Sequence, residues 1–307
     1  MRHSDAWPPL PLGGWQDTRQ TLHMWTQVVG KIRMALAPEL NHWWHVALYV
    51  NSRGLTTSPI PHGSGVFEIQ FDFRDHQLEI RTSEGHRQLL PLAPEPVAVF
   101  YGKVMEALRS LGIPVTINTK PQEVADPVPF EQDHRPGAYD RDAVRRFWRI
   151  LLSTDVVLQE FRSGFIGKCS PVHFFWGSFD VTCTRFSGRT APPRKGAITG
   201  PAYSHEEISV GFWPGGGAVD GPAFYSYTAP QPAGLPEAPV GPAAAGWHSG
   251  LSEFILMYDE VRQTHSPREA LLEFFESTYA AGANLANWDR EALERPRAAF
   301  RHGQSGG

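Results

Sequence analysis

From residue 17 to about 36 the apolar side chains Leu22, Trp25, Val29, Ile32 and Leu36 recur in steps of three and four, which predicts one face of an α-helix, and Pro38 ends it. Residues 42–50 read as a strand, and Gly54, Pro59 and Pro61 mark the loop that follows. Phe67, Ile69, Phe71 and Phe73 then alternate with Glu68, Gln70 and Asp72, the pattern of a strand with one buried face; Leu78 and Ile80 begin its hairpin partner beyond a turn near Asp75. Helical spacing returns over 97–111 through Phe100, Tyr101, Val104 and Leu108. Residues 119–138, rich in Pro and acid and without a period, predict a connector.

The second half repeats this order. A helix over about 140–165 carries Phe147, Trp148, Leu151, Leu152 and Leu158, and strand-like pieces follow at 208–213, 223–228 and 253–258. A last helix runs from Pro267, a favoured first-turn residue, to about Leu285. The segment from His42 to Val50 aligns on that from His173 to Val181, each after a long helix, so a diverged helix–strands–helix duplication is expected. The predicted fold class is α+β, antiparallel strands packed against about four long helices. One domain is expected over 15–288, with halves at 15–118 and 139–288, a connector at 119–138, and flexible tails at 1–14 and 295–307.

The 307 residues suffice for a full hydrophobic core. Two cysteines, Cys169 and Cys183, are too few for a disulfide framework and lack CxxC spacing, which fits a reducing cytoplasm; were the segment between them strand, they would not bridge. A net charge of -4 supplies no basic field for nucleic acid. The first residues lack the apolar run of a signal peptide, and no stretch approaches the roughly 20 apolar residues of a membrane span. A soluble cytoplasmic protein, with neither nucleic acid nor membrane as partner, is expected. Ten Trp and 18 Phe, several beside Gly, Pro or His, suit either the walls of a cleft or an aromatic-rich core.

Candidate chemistry concentrates at 168–189, where His173, Asp180, hydroxyls, Arg185 and Arg189 sit among large aromatics. A strand built for stability alone would use Val, Ile and Leu there, because each unpartnered buried polar group costs about 1–3 kcal/mol. In a regular strand Phe174, Trp176, Ser178, Asp180, Thr182 and Thr184 would share one face, opposite His173, Phe175, Phe179, Val181, Cys183 and Arg185. Arg185 and Arg189 could clamp a carboxylate or phosphate, or pair with Glu206 and Glu207. On the first helix His23, Gln27 and Lys31, four apart, form a polar stripe that lines a site or faces solvent. His42 and His45 add imidazoles, but three apart in a strand they point oppositely, so only one can face a given site; histidines that hydrogen-bond backbone are the main reading, no metal ligand is assigned, and a metal at His23, His42, His45 or His173 stays an open alternative. Gly164-Phe-Ile-Gly-Lys168 has the wrong spacing for a phosphate loop, and no GxSxG, HExxH or dinucleotide fingerprint occurs; the cofactor is unknown.

The segments Thr21-Leu-His-Met-Trp-Thr-Gln-Val-Val-Gly-Lys31, Asn41-His-Trp-Trp-His45, Ser170-Pro-Val-His-Phe-Phe-Trp-Gly-Ser-Phe-Asp180, Thr184-Arg-Phe-Ser-Gly-Arg189 and Gly211-Phe-Trp-Pro-Gly215 resemble those of a bacterial family of uncharacterised proteins, a domain of unknown function. The resemblance covers about 15–288 and implies a single family domain; it brings no activity or catalytic residue. From the residues themselves the expected function is an enzyme on a small polar or anionic metabolite, by hydrolysis or group transfer, in an aromatic-walled cleft between the halves. His23 and His173 would be acid/base groups, and Asp180 would orient a histidine or a substrate hydroxyl. Lys31, Arg185 and Arg189 would hold negative charge; Trp25, Trp44, Trp176 and Trp213 would wall the site, with Gln27, His45 and Ser178 as further ligand contacts. The alternative is a non-catalytic ligand-binding or interaction protein.

Overall fold

The computed structural model describes residues 6–296. These divide into two compact units, one built from the chain up to Asp155 with His173–Val181 and Phe212–Ala223, the other from Val156–Val172, Thr182–Gly211 and the chain from Phe224. Among the described residues there are two antiparallel sheets and seven α-helices, four of them substantial, so the α+β class holds.

In the first unit helix α1 (Gln16–Leu36) is buried along most of its length, its interior including Leu22, Trp25, Val28, Val29 and Ile32. Ala37 turns extended and closes the last turn on the Arg33 carbonyl, and Pro38 has no N–H with which to continue it. The sheet comprises β1 (Tyr49–Val50), β2 (Gly54–Thr56), β3 (Ile60–His62), β4 (Gly65–Asp72), β5 (Gln77–Thr82) and β6 (Arg87–Pro91), in the order β1-β2-β4-β5-β6 with β3 also on β4. The β4–β5 register sets Ile69 opposite Ile80 and Phe71 opposite Leu78, so the alternating apolar positions all face the core. Gln70 and Asp72 on the other face are buried as well, which alternation alone does not reveal. Helix α2 (Val97–Ser110) brings Phe100 to stack on Trp25 at 4.6 Å, and Tyr139 covers another side of that indole at 5.6 Å. Trp25 is therefore a core residue and no wall of a site. Trp7 and Leu10 join the buried set; of the expected tails, residues 1–5 and 297–307 lie outside the described residues.

Residues 42–47 are not the predicted strand. Asn41–Trp43 form a short 3-10 turn with His42 and Trp43 at φ of 52° and 60°, and extended pairing begins only at Leu48, which bridges Phe174. The segment aligned with it does otherwise: β7 (His173–Phe175) is extended and then turns. The duplication is thus not shown, since the paired segments adopt different backbones. Helix α3 (Arg141–Ser163) starts where Asp140 Oδ1 accepts the N–H groups of Asp142 and Ala143, and it runs unbroken past Asp155.

The second sheet has the order β11-β12-β10-β9-β8-β7, with β8 (Asp180–Thr190), β9 (His205–Trp213), β10 (Ala223–Ala229), β11 (Gly246–His248) and β12 (Glu253–Met257). Within the second unit the hydroxyl row of β8 is consumed by its neighbour: Thr182 and Thr184 meet Ser209 Oγ at 2.8 and 2.9 Å, and Thr182 also donates to the Val210 carbonyl. The short helices α4 (Thr199–Ala202), α5 (Tyr258–Arg262) and α7 (Arg290–Leu293) flank α6 (Pro267–Leu285) in sequence. Helix α6 approaches β10 so closely that a Cβ on Gly282 would lie 2.2 Å from Thr228 Oγ1. The stretch from Cys169 to Cys183 is not one strand either. It folds back through β7 and a tight turn, so the condition under which the two cysteines would not bridge is not met, and their Sγ atoms stand 3.6 Å apart.

Candidate functional site

The turn between β7 and β8 organises the polar residues of the first unit. Phe179 closes it by donating its N–H to the Phe175 carbonyl at 2.8 Å and takes φ 61°, a left-handed conformation unusual for a bulky residue. Trp176 points inward, donates Nε1–H to the Val46 carbonyl at 2.8 Å, and lies flat on Gly30 of α1. That leaves the Gly177 carbonyl facing His23, whose Nε2 lies 2.8 Å away, and the His23 ring tilts over Phe179 at 5.0 Å. A carbonyl can only accept, so the bond to Gly177 puts the proton on Nε2, with the Gln27 amide nitrogen 3.1 Å from that same atom. Burial, offset in part by the Gly177 carbonyl, with the charge of Arg19 acting downward as well, depresses the imidazole to about 4.

One turn along α1, the Gln27 amide grips the backbone of Gln122 twice, donating to its carbonyl and accepting its N–H, both at 2.8 Å. Lys31 does the same one turn further, donating to the Lys120 carbonyl at 2.8 Å. These bonds deliver Glu123, itself at φ 55°, to the edge of the turn, where a Cβ on Gly177 would lie 2.6 Å from its Oε1. Burial and the nearby charge of Asp180 push the Glu123 carboxyl above the usual range. Asp180 is buried and accepts a hydrogen bond from the exposed Ser178 hydroxyl. Arg19, one turn before His23, lies half-buried against Gly216 of the glycine loop after Trp213, and its buried Nε has no hydrogen-bond partner among the described residues.

Of the predicted site residues, His23, Gln27, Ser178 and Asp180 thus come together, and Trp213 stands half-buried beside the glycine loop. The others are placed elsewhere. His173 is fully buried in β7 with Trp44, Tyr49 and Phe175 edge-on to its ring at 5.9, 5.5 and 5.3 Å, none of which belongs to the His23 cluster. His45 accepts the Leu40 N–H and stacks on Trp43. Lys31 and Trp176 are buried together, the ammonium 5.8 Å from the indole. In the second unit Arg185 is only 1% exposed, lies over Phe161 and Tyr279, and pairs with Glu276 at 3.0 Å; Arg189 pairs with Glu206 at 2.6 Å, the ion-pair alternative for that residue. Neither guanidinium is free to clamp a ligand.

Two members of the cluster escape a sequence reading. Arg19 continues the stripe of His23, Gln27 and Lys31 one step upstream, so the four-residue period holds a signal for it. Glu123 sits in an aperiodic connector and gives none. Apart from this cluster, Arg74, Arg145 and Arg149 rim a hollow of about 400 Å³ with Trp148 and Asp75. In the second unit Glu207 is buried beneath Tyr227, and burial raises its carboxyl to about 8 against the opposing pull of Arg194 and Lys168. No group of three or more His, Cys, Asp or Glu side chains is gathered for a metal ion among the described residues. No helix among them is long and apolar enough to cross a membrane.

The fold is α+β, and in its first unit His23 has Arg19 near it while Glu123 reaches Gly177, the carbonyl partner of His23. A family model described as a family of unknown function (DUF5996) matches residues 7–295, and the chain belongs to that family. No curated protein and no solved structure matches it.

Proposed function

We propose that the chain is an enzyme that takes a small polar or anionic metabolite at the cluster of Arg19, His23, Glu123 and Asp180, and moves protons there in a hydrolysis or group-transfer reaction. The observation that carries this reading is the buried, unpartnered Nε of Arg19 one turn from His23, whose carbonyl partner Gly177 is also approached by the Glu123 carboxyl. An unmet guanidinium N–H is costly in the free protein and is answered by a ligand carboxylate or phosphate. Glu123, held protonated into a higher pH range, is the proton donor; Asp180, fixed by Ser178, orients the substrate; His23 offers Nδ1 as acceptor. Trp213 and Phe179 supply apolar walls.

The test is a thermal-shift and turnover screen of small phosphomonoesters and carboxylates. Stabilisation by a hit is expected in the wild type and lost in Arg19→Gln, and turnover is expected to vanish in Glu123→Gln and Asp180→Asn, with circular dichroism unchanged. An unaltered ligand response in Arg19→Gln would remove the reading. A second reading is favoured by the bonds of His23, Gln27 and Lys31, all of which end on backbone groups: that of His23 on the β7–β8 turn, and those of Gln27 and Lys31 on the connector, which they stitch to α1. In that case ligands bind without turnover, or not at all.

A further inference from the structure

The thiols of the second unit have no part in the cluster above, yet they are set against each other. Cys169 lies opposite Arg185 in an antiparallel bridge, flanked by the Ser170 N–H to the Thr184 carbonyl at 2.8 Å and the Phe186 N–H to the Lys168 carbonyl at 3.0 Å. Cys183, two residues before Arg185, is therefore the diagonal neighbour of Cys169 on the same face. Their sulfurs are 3.6 Å apart, closer than two thiols need be and about 1.5 Å beyond a bonded pair. The two environments differ. Cys169 is partly exposed, and the guanidiniums of Arg185 and Arg162 lie near it, Arg162 being anchored on the Ser170 carbonyl at 2.7 Å. Cys183 is wholly buried. Contact with Cys183, and after it the nearby positive charge, favour the thiolate at Cys169 against the opposing effect of burial, whereas that contact and burial disfavour it at Cys183.

We propose that Cys169 and Cys183 are a reversible redox couple, Cys169 the sulfur that meets a hydroperoxide and Cys183 the one that resolves it. The Cys169 thiolate attacks one peroxide oxygen and the O–O bond breaks; Sγ is oxidised to a sulfenic acid, and the departing hydroxide takes a proton from solvent to become water. Cys183 Sγ then attacks Cys169 Sγ, the S–O bond breaks, and the hydroxide leaves with the Cys183 thiol proton as a second water. Two thiols lose two electrons to one hydrogen peroxide, and an external dithiol reverses the change by exchange. The geometry gives each sulfur its role: the outer one is reachable, and the inner one is already within reach of it.

Because the chain holds only these two cysteines, thiol counting reads the couple directly. The full chain is treated with graded hydrogen peroxide, denatured, and assayed for free thiols and by non-reducing peptide mapping. Both thiols should disappear together, a peptide joining Cys169 to Cys183 should appear within one chain, and dithiothreitol should restore both. In Cys183→Ser a sulfenic acid should be trapped by dimedone at Cys169, whereas in Cys169→Ser the buried Cys183 should stay reduced. Free thiols that persist in the wild type, independent modification of the two without the joined peptide, or links only between chains would overturn the proposal. Since the wild-type arm decides alone, a variant that fails to fold does not shield it.

Discussion

His23 donates its Nε2–H to the carbonyl of Gly177 at 2.8 Å, tying the third turn of α1 to the tip of the β7–β8 hairpin through one neutral imidazole. Protonation would place a charge in a partly buried site beside Arg19, which is why the group sits at about 4 instead of 6.5. Between those values the unfolded chain binds the extra proton, so stability should rise with pH across that window. This contribution is complete above the unfolded value and is lost as pH falls through about 4. Urea midpoints at closely spaced pH values should show a flatter rise in His23→Gln than in the wild type. Equal slopes would mean that the imidazole is solvated.

Glu207 should act in the opposite sense. Its carboxyl is raised from 4.5 to about 8, so the folded chain holds the proton that the unfolded chain releases. Stability from this group is present below the unfolded value and is lost as pH climbs through about 8. A full shift of that size corresponds to roughly 5 kcal/mol, an upper bound that relaxation reduces. Glu207→Gln, which keeps the shape without the charge, should remove the alkaline decline and leave the variant more stable than wild type at pH above 8. Chemical denaturation across that range checks it.

Gly30 and Gly102 both lie inside helices, yet alanine should move them in opposite directions. A Cβ at Gly30 would sit 2.1 Å from Cδ1 of the Trp176 indole, a rigid ring already bonded to the Val46 carbonyl. Gly30→Ala should cost about 1–3 kcal/mol or more through overpacking. At Gly102 on α2 nothing lies within 4 Å, and Gly102→Ala should stabilise by about 0.5–1 kcal/mol through helix propensity. Melting of the two variants beside wild type reads both signs.

Arg185 and Glu276 form an ion pair with unequal partners, 1% and 44% exposed. Glu276→Gln should cost under about 1 kcal/mol, as for a solvated charge that keeps a hydrogen-bonding amide. Arg185→Ala empties the space between Phe161 and Tyr279 and leaves the Phe161 carbonyl with only the longer bond from the Gly164 N–H, so a loss of about 3 kcal/mol or more is expected. Comparable losses in the two variants would make the pair, and not the aromatic cage, the source of stability.

The long elements were legible because their signal is local. The steps from Leu22 to Leu36 and the alternation of Phe67, Ile69, Phe71 and Phe73 each encode one buried face, and Pro267 marks a helix start, all as observed. The failures lie where tertiary contacts decide. Residues 42–47 have strand-like composition, but left-handed His42 and Trp43 bend them, and the run after Pro171 breaks where Phe179 does the same. That break separates His173 from Asp180 in environment and brings Cys169 back to Cys183. Arg185 looked like a ligand clamp only because Phe161, Tyr279 and Glu276 are distant in sequence. Glu123 owes its place to the grip of Gln27 on Gln122, a long-range pairing that no periodicity announces.

Helix α1 is enclosed on nearly every side from Thr18 to Arg33 and holds the connector by its own side chains. Its amide protons can therefore reach solvent only when the first unit opens as a whole, so deuterium uptake along this one segment would report the global opening free energy of that unit.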